Sequence, residues 1–409
     1  MVILKGGRNK RKISSYCLVT MDEVPEAWRT ISLFSARLNG INMRWADTGG
    51  DGPTVLFLHG WPESWFSWRH QLLAVRASGF RGIAPDMRGF GGTDAPANFA
   101  EYSISVIAAD MSALLLHLGL SGVALVGHDH GANVGWKLAL LHPDTFRCYC
   151  ALSVPYSGRP AAPPIQRLRS KFGDEREPAG APSSHQNHPT LPAHACLSPL
   201  PSISPEGKQL FNYQLHHQMR DAATAYDRDP RGALLALFQD AEGEARPPPV
   251  VSKLLWVDGE AEPLWRRLPQ PDAPPQWMAP ADFRYLVSTF RRGFEGGLNW
   301  YRVMDRDWHK TAHLAGCRLS QPIAFIGGLA DQITRWFGGP DAVRAALKRE
   351  CDLDPEVHFL AASHWIQQEL PGKVSQILLD FLERHRSWLP QWEYGDEGPA
   401  ASHAPRPRL

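Results

Sequence analysis

Asp129 is the residue of this chain whose neighbours point most directly to chemistry. It stands in Gly127-His128-Asp129-His130-Gly131, directly after a short apolar run. A central side chain flanked by glycines is the pattern of a strained strand-to-helix turn that lifts a nucleophile clear of the backbone. Gly127 and Gly131 are needed because such a turn brings the main chain so close to its neighbours that a side chain would collide. A carboxylate held there can attack carbon and form an ester, with the N–H of His130 beside it. The plainer alternative is an Asp that caps a helix after a strand.

Three further places add to this. His59-Gly60-Trp61-Pro62 follows the apolar run 55–58 and predicts a tight turn at which the N–H of Trp61 joins that of His130 as an oxyanion hole; Gly and Pro also make purely structural turns. Asp331 lies beyond the run 323–326, across Gly327-Gly328, and His364 follows the run 357–360 in Ser363-His364-Trp365. Taken singly, a loop Asp or His is an ordinary surface residue. Taken together, nucleophile, acid and histidine come in that chain order, each just past a strand, which is the order of the α/β-hydrolase triad.

The elements that must position these residues are short apolar runs at 55–58, 82–84, 123–126, 148–154, 323–326 and 357–360, apolar on both faces as buried parallel strands are. Helical spacing of apolar residues marks 104–118 and 132–141. The alternation predicts an α/β fold with a mostly parallel sheet. It breaks between about 156 and 312, where Pro and aromatics dominate; an inserted, mainly helical lid is the economical reading. Residues 173–207 within it are rich in Pro, Ser, Ala and His and predict a loosely ordered loop. Its His185, His188, His194 and Cys196 are not read as a metal site, because no other ligands lie near. The expected division is a flexible extension 1–30, a core of 31–155 with 313–388, a lid 156–312, and a tail 389–409.

Composition narrows the function further. The 409 residues carry 43 Lys and Arg against 42 Asp and Glu, which gives no footprint for nucleic acid. Six scattered Cys with no CxxC pair predict a reducing compartment, and no run is long and apolar enough to span a bilayer. The basic cluster near Lys5 and Lys12 lacks the apolar stretch of a secretory signal. A cytoplasmic location is expected; the terminal Pro407-Arg408-Leu409 is only a weak match to a peroxisomal address.

The sequence closely resembles the α/β-hydrolase-fold epoxide hydrolases, the soluble type above all, over about residues 30–390 apart from the Pro-rich loop. The stretches that carry the resemblance are 59–69, Asp86-Met87-Arg88-Gly89-Phe90-Gly91, 127–131, Ser153-Val154-Pro155-Tyr156, Phe211-Asn212-Tyr213-Gln214 and Leu298-Asn299-Trp300-Tyr301-Arg302. It implies hydrolysis of an uncharged, hydrophobic epoxide by water to a vicinal diol, in a detoxifying role. Asp129 would form a covalent ester, and water activated by His364 and Asp331 would hydrolyse it. The lid residues Tyr213 and Tyr301 would protonate the epoxide oxygen. By themselves these tyrosines are ordinary lid-core aromatics. No metal or organic cofactor is implied, and Trp61, Trp65, Trp300 and Trp365 are expected to line the pocket. Two rivals remain: a hydrolytic dehalogenase with the same nucleophile, disfavoured because residues 152–172 hold no Asp or Glu and His130 follows the nucleophile, and an inactive ligand-binding member of the fold.

Overall fold

The computed structural model describes residues 17–18, 21–172, 213–238 and 264–390. Nine strands form one sheet: β1 (Cys17–Leu18), β2 (Ser32–Leu38), β3 (Ile41–Asp47), β4 (Thr54–Leu58), β5 (Arg81–Pro85), β6 (Val123–His128), β7 (Phe146–Leu152), β8 (Ile323–Gly328) and β9 (Glu356–Leu360). Their order is β1-β2-β3-β5-β4-β6-β7-β8-β9. Strands β4 to β9 run parallel and the first three pair antiparallel. The six apolar runs of the sequence are β4 to β9. The hairpin of β2 and β3 is not among them, although its turn was legible: Asn39-Gly40 joins the two strands with φ of 45° and 80°, the positive values that a two-residue hairpin turn of matching twist requires.

The parallel strands are buried on both faces, and their alternate side chains sort into two cores. Leu56, Leu58, Leu125, Tyr149, Ala151 and Phe325 face one; Val55, Phe57, Ala124, Val126, Cys148, Cys150 and Ile326 face the other. The two-residue period of a strand dictates this sorting. Helices α1 (Arg69–Ala77), α2 (Ile104–His117) and α3 (His130–Leu141) make the crossovers that parallel strands need.

Between β7 and β8 the described chain forms α4 (Pro164–Phe172), α5 (Tyr213–His216), α6 (Ala222–Asp227), α7 (Pro230–Leu237), α8 (Pro280–Ser288), α9 (Glu295–Arg302) and α10 (Met304–Lys310). They pack on the turns that follow β4 and β5: the Trp300 indole donates to the Arg88 carbonyl at 2.9 Å. After β8 come α11 (Gln332–Trp336), α12 (Pro340–Glu350), then, beyond β9, α13 (Ile366–Glu369) and α14 (Pro371–Arg384). The Pro-rich stretch 173–207, with His185, His188, His194 and Cys196, lies outside the described residues, as do 391–409. Among the described residues no three His, Cys, Asp or Glu side chains are grouped to hold a metal ion, and no helix is long and apolar enough to cross a membrane.

The segment read as a flexible extension up to residue 30 joins the fold before it ends. Cys17 and Leu18 pair with Ser35 and Phe34, Val24 is buried, and the Trp28 indole donates to Asp282 of α8 at 2.9 Å. Val24 and Trp28 bury apolar surface against the core over α1, which outweighs the entropy of ordering a short stretch.

Candidate active site

Asp129 occupies the turn between β6 and α3 with φ 52° and ψ −118°, a left-handed conformation that costs a non-glycine residue about 1–3 kcal/mol and persists where packing over-determines it. The packing is visible in the glycines. A Cβ on Gly127 would lie 2.5 Å from the Gly131 carbonyl oxygen, one on Gly131 would strike the Leu58 carbonyl, and one on Gly60 would strike the carboxyl group of Asp129 itself. Gly60 thus lets the turn after β4 close on Asp129. The Trp61 N–H donates to Asp129 Oδ1 at 2.9 Å. The N–H of His130 makes no hydrogen bond to this carboxylate, so of the two donors expected for an oxyanion hole only Trp61 is engaged.

The turn is itself fastened. His59 is buried; its Nε2 accepts the Met87 N–H at 3.0 Å, so its Nδ1 donates to the Gly60 carbonyl at 2.9 Å. That joins the loops after β4 and β5. The Trp61–Pro62 peptide bond is cis.

His364 lies on the loop after β9. Its Nε2 is 3.4 Å from Asp129 Oδ2, and its Nδ1 is 3.0 Å from Asp331 Oδ2. A carboxylate can only accept, so Nδ1 carries the proton. Asp331 caps α11, where its Oδ1 takes the Ile333 N–H at 2.9 Å, and this fixes the carboxylate that orients the imidazole. Burial opposes charge on Asp129, but the hydrogen bond from His364, together with the charges of His364 and His128, outweighs it and holds the carboxyl far below the usual range. Burial likewise opposes the His364 cation, and the Asp331 charge with hydrogen bonds to Asp129 and Asp331 raises it well above an ordinary histidine.

Tyr213 opens α5 and Tyr301 lies in α9, their rings 5.9 Å apart at 81°. Burial, then the negative charge of Asp129, pushes the Tyr213 phenol up; burial, then Tyr213 and Asp129, does the same for Tyr301. Both stay protonated and able to donate. The segment that follows α5 is clamped to α9: Gln218 donates to the Tyr301 carbonyl at 2.9 Å, and Arg302 donates to the carbonyls of His217 at 3.2 Å and Met219 at 2.9 Å. His217, wedged against Trp61, Tyr213 and Tyr301 at 4.8, 5.5 and 4.5 Å, is fixed by its Nε2 at 2.9 Å from the Tyr226 hydroxyl.

The four tryptophans divide. Trp61 and Trp300 share one core with Tyr301 and His130, and Trp365 lies beside His364, stacked on Phe238 at 4.2 Å. Trp65 does not line the pocket as expected. It is fully buried in the core on the opposite sheet face, with its indole donating to the Tyr285 hydroxyl at 3.0 Å; its place in the run 59–69 gave no sign of which way the ring points. Conversely, Glu63 and His128 were overlooked as site residues. They form a fully buried pair at 2.8 Å directly behind His364, and both sit inside the motifs already singled out, one just after Pro62 and the other just before Asp129.

The fold and this placement of the elbow define the class, and comparison with known proteins agrees. The chain belongs to the α/β hydrolase fold family, which matches residues 53–369. Within it the chain is an epoxide hydrolase. Epoxide hydrolase A of Mycobacterium tuberculosis is 34% identical over 355 residues, 84% of this chain and 95% of that one. Epoxide hydrolase 2 of Siraitia grosvenorii is 33% identical over 350 residues, 85% and 96% of the two chains. The solved structure of an epoxide hydrolase from an endophytic Streptomyces matches with a TM-score of 0.74 at 32% identity, covering 88% of this chain and 97% of that one.

Proposed function

We propose that this chain opens an uncharged, largely hydrophobic epoxide through a covalent ester on Asp129. The observation that carries the reading is the Asp129 carboxylate set between the Trp61 N–H at 2.9 Å and His364 at 3.4 Å, under a pair of protonated tyrosines. In the first half-reaction a carboxylate oxygen of Asp129 bonds to a ring carbon, the carbon–oxygen bond of the ring breaks, and the departing oxygen takes a proton from Tyr213 or Tyr301. The inserted helices act as the lid that supplies both phenols.

Esterification removes the negative charge from Asp129. That charge and its hydrogen bond are among the causes that raise His364, so once the ester exists the imidazolium gives up its proton, which the tyrosinate left by the first step takes. Held by Asp331, it then takes a proton from water, which attacks the carboxyl carbon of Asp129. The Trp61 N–H is aimed at the oxygen on which charge develops, and such a donor contributes about 3–4 kcal/mol. Collapse of the adduct expels the diol oxygen with a proton from His364, and the proton left on the carboxyl group returns the imidazole to its charged resting state. No metal or cofactor is required.

A dehalogenase of the related type would hold its acid just after β7. Here that place is taken by Ser153, whose hydroxyl donates to the His364 carbonyl at 2.9 Å, while Asp331 meets the imidazole. The deciding experiment is turnover of styrene oxide or an epoxy fatty acid by wild type and Asp129→Ala. Diol formation by the wild type alone, with a single turnover in H₂¹⁸O placing label on Asp129, is expected. Equal background rates over a broad epoxide panel refute the reading.

A further inference from the structure

His130 is the first residue of α3 and adjoins the nucleophile. Its ring centroid is 4.3 Å from that of Tyr301 at an interplanar angle of 81°, and 5.9 Å from that of Trp300. An imidazole thus stands against the ring of Tyr301, one residue after Asp129 in the chain. We propose that His130 is a specificity-determining residue, and that it selects epoxides bearing an ether, carbonyl or hydroxyl oxygen on the carbon next to the ring. This rests on the reading of Asp129 and the tyrosines given above.

The support is an unmet hydrogen-bonding capacity. His59, His128, His217 and His364 each bond through at least one ring nitrogen. Among the described residues no hydrogen bond reaches the ring of His130, although the residue is 92% buried, with 8% of its surface accessible. Its nitrogens are not among the sealed polar atoms that lack a partner, so they open on accessible space. When a ligand oxygen replaces water as the partner of such a group, the net gain is about 0.5–1.5 kcal/mol. Burial, with the nearby charges of Lys137 and His364, holds this histidine below its ordinary value against the pull of Asp129, so the ring is neutral and offers one donor and one acceptor. A neutral imidazole matches an uncharged oxygen. A site built to bond such a group discriminates strongly against analogues that lack it.

The test compares phenyl glycidyl ether with 4-phenyl-1,2-epoxybutane, which differ by one oxygen replacing a methylene. The readout is the ratio of their kcat/KM values in wild type, His130→Phe and His130→Gln; all three keep the main-chain N–H, and the intrinsic reactivity difference cancels between variants. The ratio is expected to fall about tenfold in His130→Phe, the equivalent of one hydrogen bond at ~1.4 kcal/mol, and to recover at least in part in His130→Gln. A ratio unchanged within about twofold in His130→Phe overturns the proposal, as does an equal rate loss on both substrates. Should the Phe variant fail to fold, His130→Leu against His130→Gln gives the same comparison. A wild type that opens neither epoxide sinks the reading of the site itself, whereas an active enzyme with an insensitive ratio sinks only the role of His130.

Discussion

The imidazole of His128 lies 2.8 Å from the main-chain carbonyl of His364, through its Nε2, while its Nδ1 lies 2.8 Å from Glu63. Glu63 receives the amides of Gln367 and Gln368 at 3.0 Å each and the Gly60 N–H at 3.3 Å, so its carboxylate only accepts and His128 donates from both nitrogens. The position of the His364 backbone is therefore set by a buried ion pair between His128, the last residue of β6, and Glu63 on the turn after β4. Ser153, at φ 64°, adds its hydroxyl to the same carbonyl.

Removing one partner of a buried pair leaves the other charge uncompensated, at about 3–5 kcal/mol. Glu63→Gln is expected to lower stability by that amount in urea denaturation and to slow ester hydrolysis more than ester formation. A variant as stable as wild type would show that the pair contributes little.

Asp331→Asn retains the shape of the α11 cap but no longer orients or charges His364. In a related triad the same exchange lowers turnover by about 10⁴-fold. Ester formation needs no base, so substrate is expected to become trapped on Asp129, visible as a mass increase of the intact protein. A slow variant without trapped ester would place Asp331 outside the hydrolytic step.

Tyr213→Phe and Tyr301→Phe each remove one proton donor while preserving ring packing. General acid catalysis is worth about 10²–10⁴-fold, so each exchange is expected to slow the burst of ester formation at least tenfold, and the double variant to abolish it. Rapid-quench measurement of both half-reactions checks this; a defect confined to hydrolysis contradicts it.

The raised His364 value links the site to pH. Because the folded-state value lies above that of the unfolded chain, its stabilisation is complete below about pH 6.5 and is lost as pH rises through the folded value. His364→Gln is expected to cost most stability near pH 6 and less in alkaline solution, read from urea midpoints. Asp129 acts in the opposite sense: its value is depressed, so its contribution is present above about pH 4 and disappears only in strong acid. A His364→Gln cost that grows with pH would invert the assigned coupling.

Much of the site was legible because its residues sit at turns that only certain side chains tolerate. Gly60, Gly127 and Gly131 are dictated by contacts with Asp129 and neighbouring carbonyls, and the order of Asp129, Asp331 and His364 follows from where parallel strands end. What escaped were residues whose role depends on direction. Trp65 and Trp61 belong to one short segment, yet one ring is sealed in the core away from the pocket and the other faces Tyr301. Nothing in their spacing distinguishes them, because an irregular turn has no period from which a face can be read.

The sequence by itself determined the strand ends, the elbow and the chain order of the carboxylates and histidine, since these depend on local backbone sterics and apolar runs. Only the tertiary structure decided that Glu63, His128 and Ser153 converge on His364, that residues 21–30 pack against the core, and that His130 stands against Tyr301. Each of these is a contact between segments distant in sequence, set by how turns at different strand ends and the insertion pack together, and a one-dimensional pattern carries no term for it.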